Sequence, residues 1–83
     1  MRYCYIYAEL VDFLEDNKDN KSLKTELLSL VQKCAAAKFD IFSEGCVALG
    51  NLLKNKGIAI NGYVRGGMNI REVCEEIKRA YVA

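Results

Sequence analysis

At 83 residues the chain has room for one small domain, and 52% apolar residues supply it with a core and exclude a disordered composition. Twelve basic and eleven acidic residues leave a net charge of +1, so no broad electrostatic footprint for nucleic acid exists. Histidine is absent, which excludes imidazole catalysis and an imidazole pH switch. No stretch approaches the roughly 18 apolar residues of a membrane span. The opening Met1-Arg2-Tyr3-Cys4-Tyr5 lacks a signal-peptide layout, with charges arriving already at Glu9 and Asp12.

The spacing predicts a first helix over about residues 2–17. Cys4, Tyr7, Ala8, Val11 and Leu14 fall on one face, and Leu10 and Phe13 widen it. The polar run from Asp16 to Lys21 interrupts it as a loop. Asn20 or Ser22 then caps a second helix, whose apolar face is Leu23, Leu27, Leu30, Val31 and Cys34. Ala35, Ala36 and Ala37 extend it. A third helix begins near residues 40–43, with Phe42, Cys46, Leu49 and Leu53 at steps of four, three and four. Gly57 is its expected C-terminal cap. Residues 58–65 have strand-like composition in Ile58, Ile60 and Val64, but a lone strand lacks a partner, so a short helix is expected there, ended by Gly66-Gly67. Asn69 caps the last helix, with Glu72 three residues on, and Ile70, Val73, Cys74, Ile77 and Tyr81 share a face. The pattern is that of an all-α bundle with short connections, a single domain over 1–83.

Every cysteine falls on the apolar stripe of its helix. No C-x-x-C is present, so the spacing does not suit zinc, and no metal or other cofactor is expected. Two disulfides or four buried thiols remain. An antiparallel hairpin of the second and third helices brings Cys34 and Cys46 together, which leaves Cys4 and Cys74 to close the chain on itself. By loop-closure entropy the two links contribute about 3 and about 4 kcal/mol, comparable to the whole stability of a small domain.

The positions of Cys4, Cys34, Cys46 and Cys74, the stretch Ile70-Arg71-Glu72-Val73-Cys74 and the sequon Asn20-Lys21-Ser22 together resemble the saposin-like (saposin B-type) family over nearly the whole chain. The resemblance implies a five-helix, disulfide-stapled bundle that binds or disturbs lipid, with Asn20 as a glycosylation candidate. The chain departs from the family in lacking the outer cysteine pair and the family's prolines, including the one that commonly starts the last helix, where Ile70 stands. Its ends are therefore expected to be looser.

Catalysis is not expected. Glu15-Asp16 and Glu75-Glu76 are adjacent helical residues that point apart, and the glycines at 57, 62, 66 and 67 form neither a P-loop nor a dinucleotide fingerprint. Opening of an amphipathic bundle exposes apolar faces to lipid. The expected lipid-facing or core residues are Leu10, Leu14, Leu27, Leu30, Val31, Leu49, Leu53, Ile58, Ile60, Val64 and Ile77, with hinges at residues 55–57 and 66–67. Lys33, Lys38, Lys54, Lys56, Arg65, Lys78 and Arg79 are the candidates for anionic head groups. The expected partners are lipids or anionic membranes, with a homodimer as a second way to cover an exposed apolar face. The expected compartment is secreted or lysosomal/vesicular, the signal segment lying outside this chain. The alternative is a small intracellular helical protein-interaction module with free cysteines.

Overall fold

The structure, a computed structural model, describes residues 5–58 and 70–82, with side chains from Ala8 onward. Among these residues it is all-helical, with four helices and no strand: α1 (Tyr5–Asp16), α2 (Lys21–Ala36), α3 (Glu44–Asn55) and α4 (Ile70–Tyr81). The expected short helix, its Gly66-Gly67 end and the Asn69 cap lie outside the described residues, apart from Ile58. Cys4 lies outside them too.

Local chemistry sets the helix boundaries. Asn20 caps α2, its side-chain oxygen accepting the Leu23 N–H at 3.1 Å. Ser43 caps α3, its hydroxyl accepting the Cys46 N–H at 3.3 Å. Asp40 accepts the Phe42 N–H at 3.0 Å, which makes residues 40–43 a turn. Phe42 therefore stands ahead of the helix and is 84% exposed, against the expectation that it belongs to the apolar face of α3.

Both α2 and α3 end in the same Schellman arrangement. After α3 the Gly57 N–H donates to the Lys54 carbonyl at 3.0 Å and the Ile58 N–H to the Leu53 carbonyl at 2.8 Å. After α2 the Lys38 N–H donates to the Ala35 carbonyl at 2.9 Å and the Phe39 N–H to the Cys34 carbonyl at 2.8 Å. The left-handed residue is a glycine in the first case, Gly57 with φ 92°. In the second it is Lys38, φ 58°, followed by Phe39, φ 59°, where each Cβ costs about 1–2 kcal/mol. Packing offsets that strain. The Phe39 ring lies against the core, and the Arg71 guanidinium of α4 sits 4.5 Å from its centroid.

The core takes Leu10 and Leu14 from α1, Leu23, Leu27, Val31 and Cys34 from α2, and Cys46, Leu49 and Leu53 from α3. Ile58 and the α4 residues Val73, Cys74 and Ile77 complete it. Burying one such leucine or isoleucine fully contributes about 1.5–3 kcal/mol. Helix α2 is central, packed against α3 and α4, while α1 packs against α4. The Tyr81 hydroxyl donates to the Asn17 carbonyl at 3.0 Å and ties the end of α4 to the end of α1. The buried stripe of α1 is centred on Leu10 and Leu14. Ala8 is exposed and Val11 is 39% exposed, so the stripe is rotated from the expected face.

Two substitutions test this account by urea denaturation. Lys38→Gly supplies the residue that the α2 cap prefers and is expected to raise stability by about 1 kcal/mol. Gly45→Ala is expected to lower it by about 1–3 kcal/mol. Its Cβ would stand 2.6 Å from Lys33 Cβ, an atom at the root of its side chain that moves only with the helix.

Candidate functional site

The first turn of α3 lies directly on the last turn of α2. A Cβ on Gly45 would meet Lys33 Cβ at 2.6 Å and the Cys34 backbone nitrogen at 3.3 Å, so only a glycine permits this approach. The seat puts Cys46 beside Cys34. Helix α4 runs past the same point and adds Cys74. All three cysteines are buried free thiols of one core, and Cys46 and Cys74 both lie near enough to Cys34 to perturb its thiol.

The structure thus holds neither of the expected disulfides. Cys34 and Cys46 come together as the hairpin predicts but are not bonded, and Cys74 is a free thiol in contact with Cys34. The expected pairing treats the two ends of the chain as a separate problem from the hairpin, whereas α4 brings its cysteine to the hairpin's own thiols. Among the described residues no group of His, Cys, Asp or Glu is arranged to hold a metal ion.

Burial sets the chemistry of these thiols. Desolvation, with the Cys46 hydrogen bond second, pushes Cys34 far above the ordinary thiol range. Desolvation also pushes Cys74 up to about 11, against a lowering by its hydrogen bond with Cys34. Both are protonated at neutral pH and poor nucleophiles while the core is closed.

The expected apolar residues Leu10, Leu14, Leu27, Val31, Leu49, Leu53, Ile58 and Ile77 all lie in the core. Leu30 is half-buried at its margin, and Ile60 and Val64 lie outside the described residues. Of the head-group candidates, Lys33, Lys38, Lys54, Lys56, Lys78 and Arg79 are exposed, and Arg65 lies outside the described residues. Two of them meet. Lys33 and Lys56 border an open groove of about 850 Å³ on the outer side of the α2–α3 hairpin, where Leu30, Ala48 and Leu52 are the apolar residues and Glu26 the acidic one. Lys78 and Arg79 stand apart from it, around a shallower surface with Glu75 and Val82, and Arg79 pairs with Glu76. Asn20 is exposed, with its side-chain oxygen used by the α2 cap.

Ala48 and Leu52 escaped the sequence reading. They sit just off the 46/49/53 stripe, and their value depends on which face of α2 lies opposite. Ile41, Phe42 and Val47 were likewise missed as a group of exposed apolar side chains where α2 turns into α3.

Comparison of the chain with family models, with curated proteins and with solved structures finds no match. Among the described residues no helix is long and apolar enough to cross a membrane.

The raised thiols carry an alkaline signature. Cys74 ionises at 9.0 when unfolded and at about 11 when folded, so its contribution is complete below pH 9 and is lost as pH rises through 11. Tyr81, raised by burial, acts in the same sense. In reducing buffer the urea midpoint is expected to hold steady up to about pH 9. The unfolding free energy should then fall by about 1.4 kcal/mol per pH unit for each such thiol, and the midpoint with it. Cys74→Ala should flatten that slope.

Proposed function

We propose that the chain is a saposin-like, lipid-interacting protein of the secreted or vesicular space. It binds, transfers or permeabilises lipid by opening its amphipathic bundle. One observation carries the reading: four helices contribute a continuous apolar core, and among the described residues no polar or charged residue is buried in it. The residues buried as a whole include no ionised one, and the covered Glu72 oxygen belongs to a half-buried side chain, so lipid contact offsets the exposed area with little desolvation penalty for buried charge. Lipid then shifts an equilibrium between closed and open forms. Lys33 and Lys56 add attraction for anionic head groups, each worth about 1 kcal/mol near such a surface. In an oxidising compartment Cys34–Cys46 and Cys4–Cys74 are the staples this reading calls for, within a five-helix bundle. A second copy is the other cover for the opened faces.

The free thiols favour a second reading, an intracellular helical interaction module. Thiol counting on the natural protein, denatured without reductant, separates the two. Absence of free thiols supports the stapled lipid binder, and four free thiols support the module.

Liposome co-sedimentation with dye release, at acidic and neutral pH, tests the function. Binding to anionic vesicles is expected to exceed binding to zwitterionic ones. The double substitution Lys33→Glu/Lys56→Glu should weaken it at least about tenfold. Absence of binding to either vesicle at both pH values would remove the lipid function and leave the helical fold in place.

A further inference from the structure

Four cysteines suggest two fixed pairs, yet the core gathers three of them at one point, with Cys34 in the middle. Cys34 ends the buried stripe of α2, Cys46 opens that of α3, and Cys74 lies in the second turn of α4. The three helices differ in how they are held. Helices α2 and α3 are joined by a seven-residue connection and pressed together at Gly45, so a Cys34–Cys46 bond restrains what the chain already restrains. Helix α4 is reached from α2 only through the rest of the chain, and a bond to it closes a much longer loop.

We infer that Cys34 is a two-way disulfide centre: it bonds either Cys46, which staples the α2–α3 hairpin, or Cys74, which ties α4 to α2 and locks the bundle closed. The locking half of this inference rests on the opening proposed above but replaces its Cys4–Cys74 staple, while the two-way bonding rests on neither.

The chemistry balances. From the reduced state, one small-molecule disulfide such as oxidised glutathione takes up two electrons. It forms one protein disulfide and leaves as two thiols. Exchange between the two protein bonds then needs no oxidant. The Cys74 thiolate attacks Cys34 Sγ, the Cys34–Cys46 bond breaks, its electron pair stays on Cys46 Sγ, and that sulfur takes the proton Cys74 gave up. Both partners lie in the same buried core as Cys34, on helices packed against its own, so neither bond needs the bundle to be rebuilt. Burial keeps the thiols protonated, which makes exchange slow in the closed core and faster whenever α4 lifts.

The test uses the full chain, equilibrated in glutathione buffers of graded potential, quenched with acid and mapped by non-reducing peptide mass spectrometry. Trypsin sites at Lys38 and Arg71 separate the three cysteines. The inference predicts both Cys34–Cys46 and Cys34–Cys74 peptides, the latter falling at least threefold in proportion when the lipid-bound form accumulates. Recovery of Cys34–Cys46 alone at every potential, or only together with Cys4–Cys74, overturns two-way bonding. Two further variants read the lock without lipid. Cys4→Ser/Cys46→Ser leaves only the bond to α4, and Cys4→Ser/Cys74→Ser leaves only the hairpin bond. Amide exchange in α4 should be at least tenfold slower in the oxidised first variant than in the oxidised second. Equal exchange overturns the lock. Loss of vesicle binding in the wild type, with both bonds still mapped, would instead count against the lipid reading alone.

Discussion

Where α3 begins, its backbone comes so close to α2 that a Cβ at Gly45 would stand 2.6 Å from Lys33 Cβ and 3.3 Å from the Cys34 nitrogen. Much of the molecule depends on that contact. It brings Cys46 against Cys34, and it sets the span that residues 37–43 must bridge. The chain meets that span with a sharp reversal, placing Lys38 and Phe39 at positive φ where a glycine would be at ease. Phe39 in turn presents its ring to Arg71, so a strained turn between two helices also touches the third. A local steric fact therefore reaches α4 without any bond to it.

Among the described residues the rest of the bundle is held mainly by burial. The Lys18–Glu15 ion pair, at 3.4 Å, is exposed and worth under about 1 kcal/mol. The hydrogen bond from Tyr81 to the Asn17 carbonyl is a specific link between α4 and the end of α1. A core of this kind is fixed in composition more than in arrangement, because apolar side chains impose no direction on their partners. On the proposed reading such a core exchanges protein contacts for lipid contacts while the helices stay amphipathic. Helix α4 suits that role, with Val73, Cys74 and Ile77 inside and Arg71, Glu75, Lys78 and Arg79 outside.

What the sequence discloses follows how local each feature is. Helix α2 is legible almost entirely, since Asn20 is a capping residue and Leu23, Leu27, Val31 and Cys34 keep one phase. The end of α3 is legible for the same reason: Gly57 is the residue that a left-handed cap prefers. The start of α3 misleads, because Phe42 extends the 46/49/53 spacing backwards while Asp40 and Ser43 turn the chain before it. In α1, Val11 fits a helical stripe as well as Leu10 does, and only the position of α4 decides which of them is covered. The groove beside Lys33 and Lys56 and the meeting of three thiols depend on how helices are placed against one another. Periodicity is silent on that. It put each cysteine on an apolar face and could not say that one point would collect three of them.

The position of those thiols links two equilibria. In the closed core, burial holds Cys34 and Cys74 protonated, and a protonated thiol neither attacks a disulfide nor meets an oxidant readily. Opening hydrates them, lowers their pKa toward the ordinary value and restores their nucleophilicity. Any ligand that favours the open form therefore speeds thiol chemistry. By linkage, any covalent bond that disfavours the open form weakens that ligand by the same free energy. The two possible bonds of Cys34 differ in this respect. A bond to Cys46 lies within a hairpin that stays together in either form and is close to neutral. A bond to Cys74 crosses the α2–α4 interface, which parts in the opening proposed above. On the lipid reading proposed above, the effect of oxidation on affinity reduces to which neighbour Cys34 takes, and the two lie in one buried core with it.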